Sequence, residues 1–386
     1  MKNQISNRKS TITHLMAACL LLGAFTCLTA ATAWADSHIV YVPPPNGTDD
    51  TSNIQGALDT CVAYGKNCTV QLAAGTYHTG QVAVIGFVGT FRGVGRDETI
   101  IKTLDRTLQV APLNFFENPP TPESGSNPWP SIFAFVGGDI VISDLSLSFT
   151  PNVWTTGWTW DGLGITVYEL AHGFVVVGPV VPGQGYTEAN AALYRVRVEG
   201  VEQEGTLFGY DPINATYYEG LFGAPVEQTL PLRGRFDAHD SEFRHVGGGT
   251  NLYNLYDSRV SITRNRFADS FEGMDIQALT NTTYEYADNE VPNSLAWGVN
   301  LFGSFDSSSL VVRNNVITGS GMGLYLDDSV MFAGDMKCHL LRNSVEDVSD
   351  VGIYLGPGTR DCLVVLKTCE DTVLNLGTNN KIIGCQ

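Results

Sequence analysis

Short runs in which apolar and polar residues alternate fill most of this chain, which reads as strand after strand with little helix. Toward the C-terminus the runs return at a regular step. Gly273-Met274-Asp275-Ile276, Gly298-Val299-Asn300-Leu301, Gly323-Leu324-Tyr325-Leu326 and Gly352-Ile353-Tyr354-Leu355 are copies of one pattern. A second signature precedes each: Arg264-Asn265-Arg266-Phe267, Asp288-Asn289-Glu290-Val291, Arg313-Asn314-Asn315-Val316 and Arg342-Asn343-Ser344-Val345. Weaker copies stand at Asp240-Ser241-Glu242-Phe243 and Leu366-Lys367-Thr368-Cys369, so the steps are 24, 24, 25, 29 and 24 residues. A period of this size built from strands predicts a solenoid whose equivalent strands lie about 4.8 Å apart. Asn265, Asn289, Asn314 and Asn343 then stack, each amide bonding its neighbours along the axis and the turn backbone. They are read as structural.

The alternation also sorts the faces of the repeated strand. Met274, Ile276, Val299, Leu301, Leu324 and Leu326 are expected inside. Outward lie Asp275 and Gln277, Asn300 and Phe302, Tyr325 and Asp327, with Asn251 and Tyr253 one coil earlier, Tyr354 one coil later and Asp328 at the strand edge.

Nearer the N-terminus, residues 1–35 read as a signal peptide: basic Lys2, Arg8 and Lys9, an apolar stretch from Leu15 to Leu28, and Ala33-Trp34-Ala35 before the cleavage point. A secreted or periplasmic protein is expected, with no transmembrane segment. The remaining 36–386 reads as one domain. Within it, Asp49-Asp50-Thr51-Ser52-Asn53-Ile54-Gln55 opens a helix capped by Ser52 or Asn53, with Ile54, Ala57, Leu58 and Cys61 on one face. Thr69 to Tyr77 follows as a strand ending in Ala-Gly-Thr-Tyr.

This D-D-T-x-x-I-Q-x-A-L helix followed by x-x-G-T-Y resembles the entry of pectin-lyase-like proteins, whose asparagine ladders also match the repeat. The resemblance implies an all-β, single-stranded right-handed parallel β-helix with a short N-terminal capping helix. A fold does not by itself imply a reaction.

Charge and cysteines narrow the surroundings. The sequence carries a formal net charge of −18 before the basic leader is removed, which argues against nucleic acid and against unaided attraction to a polyanion. Cys61 and Cys68 are spaced for a local disulfide, and Cys338 and Cys362 stand one coil apart. Cys369 and Cys385 remain for a C-terminal staple. No His/Cys spacing suggests a metal site; calcium is the cofactor left open. A monomer is expected.

Insertions near 112–130, 150–164 and 206–234 interrupt the coils, the second carrying Trp158 and Trp160 and the third Phe208, Tyr210, Tyr217, Tyr218 and Phe222. Such rings either stack on sugars or pack on the coil flank. The outward column of Asp, Asn, Gln and aromatics has the composition of a polysaccharide groove, with Asn251, Tyr253, Gln277, Asn300, Phe302, Tyr325, Tyr354, Trp158 and Trp160 as candidate binding residues. Asp275 and Asp327, two coils or about 10 Å apart, are candidate acid and base, joined by Asp328. A second candidate is Phe236-Asp237-Ala238-His239-Asp240, which resembles the D-P-H-D signature of alginate C5-epimerases; it brings in His239, with His245 as an added base. The function expected is an exported β-helix acting on a polysaccharide as lyase, glycoside hydrolase or uronate epimerase. The alternative is a non-catalytic glycan-binding or adhesion module.

Overall fold

A computed structural model of the chain describes residues 38–66, 68–104, 131–149, 158–160, 165–167, 172–179, 183–201, 204–209, 230–328, 330–367 and 372–384. The segment expected as a signal peptide, Cys369 and Cys385, and the bulk of the insertions lie outside these residues.

The chain is a right-handed parallel β-helix. Each coil contributes strands to three parallel stacks. The front sheet holds Val82–Ile85, Ser131–Val136, His172–Val177, Glu204–Gly209, Gly248–Tyr256, Glu272–Thr280, Trp297–Asp306, Met322–Leu326, Ile353–Leu355 and Val373–Asn375. The back sheet runs from Cys68–Gln71 through Thr187–Tyr194, Leu232–His239 and Arg259–Thr263 to Lys381–Ile383. A nine-stranded side sheet of short strands closes each coil.

Register is one-to-one over long stretches, as in Thr250↔Met274↔Val299↔Leu324↔Ile353. Every expected inward residue of the repeat is fully buried. Phenylalanine rings stack coil on coil within, Phe243 on Phe267 at 5.1 Å among them. The glycine at the second position of the front strands from His172–Val177 to Met322–Leu326 marks a corner: a Cβ on Gly249 would stand 2.1 Å from the Phe267 ring.

The asparagine ladder is present, with one member changed. Asn265 accepts from Ser241 N–H (2.9 Å), Asn289 from Asn265 N–H (2.8 Å), Asn315 from Asn289 N–H (3.0 Å) and Asn343 from Asn315 N–H (3.1 Å). Asn315, not Asn314, is the rung. Asn314 occupies the preceding position, where the backbone is left-handed (φ 54°), and donates instead to Asp288. That position also holds Asp240, Arg264, Asp288 and Arg342 in other coils, all at positive φ; with two asparagines in succession, the motif aligns one residue later.

The helix spans Thr51–Tyr64 and buries Ile54, Ala57, Leu58 and Cys61 as expected. Its cap is Asp50 rather than Ser52 or Asn53, and the Asp50 carboxylate turns away to accept from Asn46 N–H (3.0 Å) and His78 N–H (3.1 Å). Cys61–Cys68 and Cys338–Cys362 are disulfide-bonded. The third insertion is shorter than expected: Glu204–Gly209 and Leu232–His239 are strands, and Phe208 is a core residue.

Candidate active site on the front sheet

The front sheet presents two outward columns that matter. One runs Ala134, Val175, Leu207, Asn251, Asp275, Asn300, Tyr325, Tyr354. The other lies at the strand starts, where the corner glycine turns its predecessor outward: His172, Glu204, Gly248, Glu272, Trp297, Met322. The N-terminal end of the first column is apolar and buried, and Ala134, Val136, Val175, Val177 and Leu207 form a second core with Tyr253. Polarity begins at the middle coils.

There three carboxyl groups gather. Asp275 accepts from Asn300 Nδ2 (3.1 Å) and from Tyr253 Oη (3.5 Å). Asn251 Nδ2 donates to Glu204 (2.9 Å), and Glu204 in turn pairs with the buried His172. Gly248 makes the Asn251 placement possible, because a Cβ there would lie 2.5 Å from Asn251 Oδ1. The carboxyls are nearly closed off, with Asp275 6% and Glu272 9% exposed. Burial, together with the Glu204 charge, pushes Glu272 up to about 8 despite a hydrogen bond from Asn300. Asp275 is raised well above the usual carboxylate range by burial first, then by Glu272 and Glu204. Glu272 therefore holds its proton near neutral pH, as a general acid must, and Asp275 is shifted in the same direction.

The column then opens onto half-buried aromatic rings. Trp297 stacks on Tyr325 (5.8 Å, 12°), and Tyr325 packs on Tyr354 (5.0 Å). Phe271 meets Trp297 edge-on at 5.7 Å. Asp327 is half-buried and Asp328 exposed beside these rings. The Tyr354 hydroxyl donates to Asp328, which raises the phenol to about 12. Phe302 packs toward the outer apolar cluster.

The remaining sequence candidates are elsewhere. His239 ends a back-sheet strand; it stacks on Tyr194 (5.5 Å, 9°) and bonds Thr263, while Asp237 is neutralised by Arg235. Burial lowers the His239 pKa. His245 is an exposed turn residue with φ 51°, 4.0 Å from Glu199, so it adds no base to that strand. Trp158 and Trp160 lie on a strand paired antiparallel with Ile165–Val167, and their side chains, like that of Gln277, lie outside the described residues. An open groove of about 820 Å³ beside the turns holds Arg233, Arg259, Glu188 and Asp257, where Arg233 is matched by Asp257 at 3.3 Å.

The sequence placed Asp275, Asn251, Tyr253 and Asn300 on this outward column but did not place Glu272, Glu204, His172 and Trp297 beside it. The alternating pattern assigns them inward. The corner glycine that follows Glu272, Glu204, His172 and Trp297 in each strand was the available signal. Among the described residues no group of three or more His, Cys, Asp or Glu side chains is arranged to hold a metal ion.

No family model and no curated protein matches the chain. Similar solved structures include a polygalacturonase from Erwinia carotovora (10% identity, 90% of this chain and 94% of that one, TM-score 0.44). PfbA, a surface adhesin of Streptococcus pneumoniae, is another (10% identity, 90% and 91%, TM-score 0.47). A third is the A-module of an Azotobacter vinelandii mannuronan C-5 epimerase (14% identity, 87% and 94%, TM-score 0.33). The strand register above, rather than these likenesses, establishes the fold.

Proposed function

We propose that this is an exported glycoside hydrolase that cleaves a polysaccharide in the front-sheet groove. The observation that carries the reading is the buried Glu272/Asp275 pair, held protonated and opening onto the Trp297–Tyr325–Tyr354 rings. Asp275 donates its proton to the glycosidic oxygen as that bond breaks. Asp327, two coils along and two residues beyond Tyr325, the register counterpart of Asp275, takes a proton from the attacking water, the division of roles of an inverting enzyme. Asn300 and Tyr253 orient the Asp275 carboxyl, and the rings offer flat apolar area to sugar faces. A lyase or epimerase needs a cation beside the uronate carboxylate and a base at the adjoining carbon. The described front strands contain no Lys or Arg to serve as that cation. Two disulfides fit an oxidising, extracytoplasmic setting.

The test is a polysaccharide panel read for new reducing ends and for the ultraviolet absorbance of unsaturated uronate. Reducing ends without that absorbance are expected, and Asp275→Asn should lower kcat by about 10²–10⁴. Unsaturated product overturns hydrolysis. The near-closure of Asp275 favours a second reading, a non-catalytic glycan binder, for which glycan retention without any product is the expected result.

A further inference from the structure

Four titratable side chains lie under cover on the front sheet: His172, Glu204, Glu272 and Asp275, each no more than 9% exposed. Three are acids and one is a base. The described front strands carry no Lys or Arg, so among their residues only the His172 imidazole can become a cation. It is already paired with Glu204.

Glu272 and Asp275 are left with neutral neighbours and one further acid. The bend at Gly273 turns both to the same side, and both meet the Asn300 side chain, which donates to Asp275 at 3.1 Å. Tyr253 Oη reaches Asp275 at 3.5 Å. Glu204 stands in the register column of Glu272, with only Gly248 between them. Asn251 reaches into that gap and donates to Glu204 at 2.9 Å. On the following strand Trp297 pairs in register with Glu272, and Asn300 with Asp275.

Two buried carboxyls without a cation do not both ionise, so the pair keeps at least one proton between its members. Their places differ. Asp275 lies in mid-strand, in register between Asn251 and Asn300, whereas Glu272 starts the strand beside the half-buried Trp297, where the face opens. Charge costs least at the more open place, so the last proton stays on the deeper carboxyl.

We infer that Glu272 is a positioning residue: as pH rises it takes the negative charge of the pair and so keeps the proton on Asp275, the donor in the proposed hydrolysis. The inference rests on that hydrolase reading. Burial, then the Glu272 and Glu204 charges, raise Asp275 in the direction this requires. The reaction itself balances without Glu272. The Asp275 proton goes to the glycosidic oxygen as its bond to the sugar carbon breaks. The water oxygen bonds that carbon, and the water proton passes to Asp327.

The intact protein and three variants are assayed on polygalacturonate, xylan and β-1,4-galactan from about pH 5 to pH 9, with kcat and KM read separately. In Glu272→Gln, which keeps the shape of the protonated acid, the alkaline limb of kcat should move about one unit toward acid. The loss is then about tenfold at the alkaline end and small at pH 5, with KM unchanged. Glu272→Asp should bring the limb part of the way back. Asp275→Asn should stay inactive across the whole range, because lowering the pH cannot restore a missing donor. An unmoved limb in Glu272→Gln, or a loss of the same size at every pH, makes Glu272 a structural residue. Either result overturns the inference and leaves the hydrolase reading standing. If none of the polymers is cut at any pH, the hydrolase reading falls, and this inference with it.

Discussion

Tyr286 places its hydroxyl inside the coils, fully buried beside the Phe267 ring at 6.0 Å, with no hydrogen-bond partner for the oxygen among the described residues. Burial raises its pKa well above that of a free phenol, so the group is a neutral, unsatisfied O–H. Removing only that atom should help. Tyr286→Phe is expected to raise unfolding stability by about 1 kcal/mol, measured by denaturant titration. The same scale explains what was legible. Asp275 reads outward because two flanking apolar residues read inward, a local pattern. Glu272 reads wrongly because the strand bends at Gly273, and a bend breaks period-two counting.

At the level of the repeated element, the asparagine rung is the cooperative part. Asn289 donates to Ile262 C=O (3.0 Å) and Asn315 Oδ1 (2.9 Å), and it accepts from the Asn265 backbone (2.8 Å). Asn289→Ala therefore strands several buried partners in two adjacent coils. A loss of about 3–5 kcal/mol is expected, since each buried group left without a partner costs roughly 1–3 kcal/mol. Asn314→Ala, one residue off the ladder and largely exposed, should cost less than half of that. Similar losses in both would return Asn314 to the ladder. The one-residue shift was not visible in the motif, because Asn314 and Asn315 are the same residue type. The deciding factor is φ: Asn tolerates the left-handed turn position, so the second Asn is free to face the stack.

For the whole molecule, the buried carboxyls make stability depend on pH in an unusual direction. An unfolded Glu ionises near 4.5, whereas Glu272 in the fold holds its proton to about 8. Between those values the folded state binds more protons than the unfolded one, so unfolding free energy falls as pH rises through this window. The melting temperature should thus drop from about pH 5 to pH 8, and Glu272→Gln should flatten that slope. An unchanged slope in the variant would show the proton to be held elsewhere. Asp275, raised by the same burial and by Glu272, acts in the same sense.

The sequence alone determined the repeat, the inward apolar residues of its strands and the capping helix surface, and it placed the cysteines of both described disulfides within reach of each other, because each follows from spacing along one coil or between neighbouring coils. What only the tertiary structure decided is which side chains meet across coils of unequal length. Glu204 joins Asn251 across 47 residues, through coils stretched by an insertion. Burial on that face then settles which carboxyls keep their protons. Desolvation depends on everything around a group, and no local pattern reports it.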